Sequence, residues 1–172
     1  MIKSIKYTDL DTATINELQC HIDTEFGHVP FVQAHTWANP DWSVIKYESN
    51  SIATFYNIVL RQITIDGQQY KAAGINNVIT PKAYRGKGFA TEVLSATENF
   101  LFEELGCSLG LLLCADALLP FYSRLGWRQV FPILYYDQPS GRQLYDSNVM
   151  ILDPDKLDKL SPTEIDLNGL PW

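Results

Sequence analysis

Positive charge is scarce in this chain. Its 172 residues carry 13 lysines and arginines against 20 aspartates and glutamates, a net charge of −7. A protein that grips duplex nucleic acid concentrates cations on one face, so nucleic acid is not the expected partner. An acidic surface suits a cationic small molecule or basic peptide, and it also keeps a protein soluble. Cysteine is scarcer still. Cys20, Cys107 and Cys114 are odd in number and show no C-x-x-C spacing, which argues against a disulfide framework or a zinc knuckle and agrees with a reducing cytoplasm. No apolar run approaches the roughly 20 residues needed to cross a bilayer, and the start, MIKSIKYTDLD, lacks the apolar middle of a signal peptide. Three histidines, His21, His28 and His35, recur every seven residues. Gly27 and Pro30 break any helix that would align them and no neighbour completes a tetrahedral set, so no metal is expected and surface histidines are.

What is present is a globular composition, 46% apolar and 19% charged, in a length that suits a single domain over residues 1–172. No repeat, low-complexity tract or linker interrupts it. KSIKYTDL reads as a first strand. TATINELQCHIDTEF reads as a helix, with Ile15, Leu18, Ile22 and Phe26 near helical spacing and Thr14 and Glu17 spaced as a capping box. The next stretch, broken by Gly27, Pro30 and Pro40, reads as loop with at most one short helix. Three strands are expected from Trp42 to Thr80, turned at Asn50 and at Asp66-Gly67. A helix is expected from Thr91 to Leu105 with Gly106 as its stop. LGLLLC reads as a strand buried on both faces, and PFYSRLG as a short helix opened by Pro120 and closed by Gly126. WRQV and NVMILD read as late strands joined by a polar loop holding Pro139-Ser140-Gly141. The last 20 residues read as mainly irregular. This order is that of an α+β (mixed α/β) fold, one sheet covered by helices.

The densest signal is VITPKAYRGKGFATEVL, with Lys82, Arg85 and Lys87 around a loop between a strand and a helix. Gly86 and Gly88 let the main chain approach a ligand closely. The first amides of the helix, from Thr91 on, have no partner within it and, with the helix dipole, make an anion site. Arg85 and Lys87 add charge that a pyrophosphate can use. The sequence is not a Walker motif, and it matches only the first two glycines of G-x-G-x-x-G.

Arg85-x-x-Gly88-x-Ala90 together with Phe121, Tyr122, Gly126 and Trp127 in FYSRLGW resembles the GNAT superfamily of acyl-CoA-dependent N-acyltransferases. The first set fits that family's Arg/Gln-x-x-Gly-x-Gly/Ala and the second its aromatic-Tyr-x-x-x-Gly-aromatic segment. The spacing between them suits one helix and one strand, and the core of the resemblance spans roughly Gly74 to Val130. The resemblance implies a central, mostly antiparallel sheet whose fourth and fifth strands splay to admit acetyl-CoA. It implies that amides from Arg85 through Gly86, Lys87, Gly88 and Phe89 to Ala90 hold the pyrophosphate. It also implies that Val78, Ile79 and Thr80 pair with the pantetheine arm, and that Asn76-Asn77 forms a bulge.

For catalysis the same resemblance makes Tyr122 the acid that protonates the departing thiolate, with a core aromatic as the plain alternative. A backbone N–H at Val78 would polarise the thioester carbonyl. Within the superfamily the window from Gly74 to Trp127 is most similar to the aminoglycoside 2′-N-acetyltransferases, which carry a proton-relaying glutamate where this chain has Asn76. Asparagine takes no proton at neutral pH. Glu25, His28, Asp116 and the carboxylate of Trp172 are candidate acceptor contacts or replacement bases; Asp116 also reads as a helix cap and Trp172 as a frayed end. Cys114, at the end of the buried strand, reads as a structural thiol. The expected protein is a cytoplasmic N-acetyltransferase acting on a small, cationic primary amine, with no nucleic acid or membrane partner and with a homodimer left open. Two alternatives stand beside it, a non-catalytic acyl-CoA-binding module and a transferase for longer acyl chains.

Overall fold

The computed structural model describes residues 1–154 and 160–172. A ten-stranded mixed sheet organises them, in the order β6-β9-β5-β4-β3-β10-β7-β8, with β2 and β1 branching from the other half of β3. The strands are β1 (Ile2–Lys6), β2 (Trp42–Glu48), β3 (Ser51–Ile65), β4 (Gln68–Ile79), β5 (Leu109–Cys114), β6 (Arg128–Val130), β7 (Ile133–Gln138), β8 (Gly141–Tyr145), β9 (Asn148–Leu152) and β10 (Glu164–Asp166). The helices are α1 (Thr12–Phe26), α2 (Pro30–Ala34), α3 (Phe89–Ala96) and α4 (Leu119–Ser123).

The hairpins form where turn chemistry demands them. Ser49 and Asn50 have φ of 48° and 65°, and Asp66 and Gly67 have φ of 47° and 83°. Both are two-residue turns with left-handed backbone at each position, whose twist matches the flanking strands. Helix α1 has the expected extent, but its cap is Asp11, whose carboxylate accepts from the Thr14 amide at 2.7 Å; the Thr14–Glu17 capping box is not used. The expected helix from Thr91 to Leu105 begins two residues early and is not one helix. It passes from α3 into a π-helical turn at Phe100–Glu104. At the junction the Thr97 hydroxyl donates to the Val93 carbonyl at 2.7 Å and is also engaged by the buried Tyr56 hydroxyl. Such back-bonding bends helices.

Two expectations late in the chain are corrected. The polar loop around Pro139-Ser140-Gly141 is the tip of a β7–β8 hairpin, paired from Leu134–Tyr145 to Gln138–Gly141. The tail is not all irregular: β10 inserts between β3 and β7, antiparallel to one and parallel to the other. Asp66 anchors it by accepting from the Thr163 hydroxyl and the Glu164 amide. Of the acidic tail, residues 155–159 lie outside the described part of the chain.

One core, on the face that carries α3 and α4, joins Tyr56, Ile58, Ile75, Val93, Leu101, Leu112, Tyr122 and Trp127. The opposite face has two. Leu18, Ile45, Ile52, Phe55 and Ile79 pack under α1. Val59, Ile63, Leu109, Leu111, Leu134, Ile165 and Trp172 pack at the other end.

Candidate active site

Strand β4 is built in two halves. From Gln68 to Ile75 it pairs with β3 in unbroken register, and Ala72 to Ile75 also pair in parallel with Leu109 to Leu112 of β5. The pairing with β5 ends at Ile75 and the unbroken register with β3 one residue later. The β3 register jumps from Asn57–Asn76 to Phe55–Ile79, and Asn77 stands at φ 52°. This is a bulge, at a residue type that tolerates left-handed backbone. The pairing with β5 stops at Ile75–Leu112 although β4 runs on to Ile79 and β5 to Cys114. Two parallel strands that part leave backbone groups of β4 open along one edge.

A cleft of about 240 Å³ opens there, lined by Glu25 and Phe26 of α1, Val78 and Ile79 of β4 and Thr80 just after it, Arg85, Ala90, and Leu118, Phe121 and Tyr122 around α4. A broader depression on the outside of α1 touches only Asn16, Gln19, Cys20, Asp23 and Thr24, residues of one helix without a second wall. It gathers none of the motif residues.

Gly86 and Gly88, both at φ +76°, shape the loop at the mouth. A Cβ built on either would meet nothing within 4 Å, so glycine is required there by backbone conformation and not by crowding from the protein. Gly88 is the N-cap of α3 and provides no side-chain cap. The leading amides of α3 at Phe89, Ala90 and Thr91 are thus left to an external acceptor. An acyl-CoA fits this combination: an open cradle for a pyrophosphate at a helix N-terminus, beside an unpaired strand edge along which an amide-bearing arm can lie.

The basic side chains behave differently from one another. The Arg85 guanidinium donates to the Thr80 carbonyl at 2.9 Å and pairs with Glu25 of α1, so it closes one end of the cleft instead of lying in the loop. The Lys87 ammonium sits 5.2 Å from the centre of the Tyr84 ring.

Tyr122 is 6% exposed and its ring packs edge-on to Phe121 and Trp127. Burial, reinforced by neighbouring Cys114, raises its phenol well above the ordinary tyrosine value. Pro120 starts α4 and Gly126, at φ 87°, ends the turn after it. This short segment places Tyr122 in the lining of the cleft beside Val78 and Ile79. Cys114 is buried and its thiol is pushed up by burial and by Asp116. That is the setting of an inert thiol.

The remaining expected residues divide between the cleft and elsewhere. Glu25 lines the cleft. His28 is exposed in the turn between α1 and α2. Asp116 is not a helix cap: its carboxylate accepts from the Asn148 amide at 2.7 Å, tying the end of β5 to β9. Trp172 is not a frayed end. It is 4% exposed, donates from its indole to the Leu111 carbonyl at 3.2 Å, and lies against Gly74. Gly74 and Leu111 are paired one rung before the strands part, so the indole covers the vertex of the split. His35 is not a loose surface histidine either; its ring bonds the Phe31 carbonyl at 2.7 Å and the Tyr136 hydroxyl at 2.9 Å.

The sequence reading missed Ser43 and Asn57. Both are fully or almost fully buried, and the Ser43 hydroxyl donates to the Asn57 carboxamide at 2.6 Å. They stand beside Asn76 in one cross-strand row, Ser43–Asn57–Asn76. A polar residue at an inward position of an otherwise apolar strand, Asn57 between Tyr56 and Ile58, was the available signal.

A splayed mixed sheet with a glycine-shaped helix N-terminus and a buried tyrosine at the split defines an acyltransferase-type cofactor cleft. The chain matches the family description "Acetyltransferase (GNAT) domain" over residues 16–130, more than half its length, and it belongs to that family of acetyl-CoA-dependent acetyltransferases. Solved structures share the fold at low identity. Escherichia coli ElaA superposes with a TM-score of 0.62 at 14% identity, covering 89% of this chain and 99% of that one. A putative N-acetyltransferase from Lactobacillus plantarum gives 0.62 at 19%, covering 90% and 99%. The Escherichia coli GNAT family N-acetyltransferase YhbS, solved in complex with CoA, gives 0.62 at 13%, covering 97% and 88%. No curated protein matches the chain. No helix among the described residues is long and apolar enough to cross a membrane.

Proposed function

We propose that this protein transfers an acetyl group from acetyl-CoA directly to a primary amine of a small acceptor, with Tyr122 as the general acid. The observation that supports this most is the coincidence, at one cleft, of the freed edge of β4 and the buried phenol of Tyr122. Bound acetyl-CoA supplies an activated thioester carbon. The amides of Gly86 to Thr91 hold its pyrophosphate, and the freed edge at Val78 to Thr80 aligns the arm. The Val78 N–H donates to the carbonyl oxygen as negative charge develops on it. As the new C–N bond forms and the C–S bond breaks, Tyr122 gives its proton to the leaving thiolate; the surplus proton on the acylated nitrogen passes to solvent, from which the phenolate is reprotonated. Its raised pKa keeps that proton in place across the physiological range.

An acceptor with positive charge outside the reacting nitrogen fits the acidic surface. Six carboxylate side chains against two lysines lie between Asp146 and Trp172. A polycationic amine such as an aminoglycoside is one such acceptor, and three free cysteines fit a cytoplasmic setting.

Measuring CoA release with purified protein, acetyl-CoA and an amine panel, alongside Tyr122→Phe, tests this reading. Turnover that falls about 100-fold in the variant, at unchanged acetyl-CoA affinity, supports the acid. Tight acetyl-CoA binding without turnover of any amine would make the protein a binding module.

A further inference from the structure

The face of the sheet under α1 has an interruption. Its apolar cluster of Leu18, Phe55 and Ile79 ends, the row Ser43–Asn57–Asn76 follows, and the cluster of Val59 and Trp172 begins. The register puts Asn76 on the same face as Gly74, against which Trp172 lies, and as Ile79, which lines the cleft. Ser43 and Asn57 satisfy each other. Asn76 is not satisfied: its Oδ1 is buried and has no hydrogen-bond partner among the described residues. A buried carbonyl oxygen left unpaired is destabilising, and this one sits at the bulge where β4 leaves β5. Such an oxygen is an acceptor waiting for an N–H donor.

We infer that the acceptor's reacting nitrogen is a weakly basic primary amine, an α-amine or an arylamine, which arrives neutral and is positioned by the Asn76 carbonyl oxygen. This rests on the acetyl-transfer reading above. Attack needs a free nitrogen lone pair. An alkylamine with a pKa of about 10.4 is neutral in only about one molecule in 2,500 at pH 7, whereas an α-amine with a pKa of about 7.7–8.0 is neutral in about one in 6 to one in 11.

Among the described residues, no side-chain base around Asn76 is free to make up that difference: His28 is exposed in the turn after α1, Asp116 is held by Asn148, and Trp172 meets Gly74 with its neutral indole ring. On α1, Glu25 is committed to Arg85, and His21 stacks near Phe55 with Glu17 beyond it. On β3, the nearest charge on this face is Arg61, bound to the Leu167 and Leu170 carbonyls with Asp41 and Asp137 nearby. On β5 and α4, Cys114 and Tyr122 hold their protons through burial. The row itself is neutral. An oxygen that accepts without ionising orients an N–H and leaves the lone pair to point at the thioester. A polycationic acceptor satisfies the same requirement when neighbouring charges depress the pKa of one of its amines.

The test is a series of primary amines, from arylamines through peptide α-amines to alkylamines, assayed from pH 6 to 9 with Asn76→Asp and Asn76→Ala beside the unaltered protein. We expect kcat/KM for total amine to rise with pH along the neutral fraction of each acceptor. At pH 7 α-amines or arylamines should exceed alkylamines about 10-fold or more, after allowance for the greater nucleophilicity of the stronger base. Asn76→Asp puts an ionisable oxygen at the same place. It should add a pH limb of the enzyme's own and raise the alkylamine to α-amine ratio about 10-fold. Asn76→Ala should lower kcat/KM without changing acetyl-CoA affinity. Preference within the panel tells α-amine from arylamine.

Alkylamines turned over as fast as α-amines at pH 7 would overturn the inference and leave acetyl transfer standing. So would a limb of the unaltered enzyme that does not move with the acceptor's pKa. Acetyl-CoA binding by calorimetry with no amine turned over would remove the acetyl-transfer reading itself, and this inference with it.

Discussion

The two halves of β4 differ in what holds them. Gln68 to Asn76 are paired in register with β3, and Ala72 to Ile75 with β5 as well; the register with β3 shifts between Asn76 and Ile79, and Asn76 to Ile79 are free on the β5 side. The first half is packed so tightly that Gly74 has no room for a side chain, since a Cβ would lie 2.2 Å from the Trp172 ring. The second half contains an unpaired buried oxygen and borders the cleft. One strand is thus closed by pairing over its first part and open to the cleft over its second. Sheet pairing satisfies backbone groups, and a ligand can use only those that pairing gives up.

Substitutions should separate the halves. The largest loss is expected from Trp172→Ala, which removes the indole that covers the vertex. Unfolding by denaturant should show a loss of about 3–5 kcal/mol. Trp172→Ala at near-normal stability would break the comparison from the structural side. Tyr122→Phe should come next, lowering kcat about 100-fold while changing stability by less than about 1 kcal/mol. Gly88→Ala forces a side chain into a left-handed conformation at a cost of about 1–2 kcal/mol, and should weaken acetyl-CoA about 10-fold in calorimetry because the amide cradle shifts. Glu25→Gln releases a partly exposed ion pair and should leave stability within about 1 kcal/mol. By freeing Arg85 at the mouth it should tighten acetyl-CoA about two- to threefold at low salt.

Titration gives a further check. Burial raises the phenols of Tyr56 and Tyr122 above the ordinary value of 10.0. Their proton is held more tightly in the folded chain than in the unfolded one. Their contribution to stability is therefore complete below pH 10 and declines as pH rises above it. Stability measured from pH 8 to 11 should fall over the upper part of that range, and Tyr122→Phe should reduce the fall. Activity should not lose its acid at any pH below about 10.

The cofactor side was the more legible part of the molecule. Its loop, its helix start and its tyrosine lie within one continuous stretch, from Gly74 to Trp127, where turn residues and spacing act locally. The acceptor side was less so. Ser43, Asn57 and Asn76 belong to three strands, and their row exists only through register. The β7–β8 hairpin and the three-residue β10 escaped notice because strands that short or that polar carry little hydrophobic pattern.

By itself the sequence determined the hairpin turns at Ser49-Asn50 and Asp66-Gly67, the extent of α1, the buried strand β5 and the glycine loop that leads into α3. Each follows from backbone preference or periodicity within a few residues. Only the tertiary structure decided that Trp172 closes the vertex, that Arg85 turns to Glu25, and that Asn76 keeps an unpaired oxygen. Those outcomes depend on which distant residues meet across the sheet, and a side chain's partners are set by packing and register, which no local stretch of sequence contains.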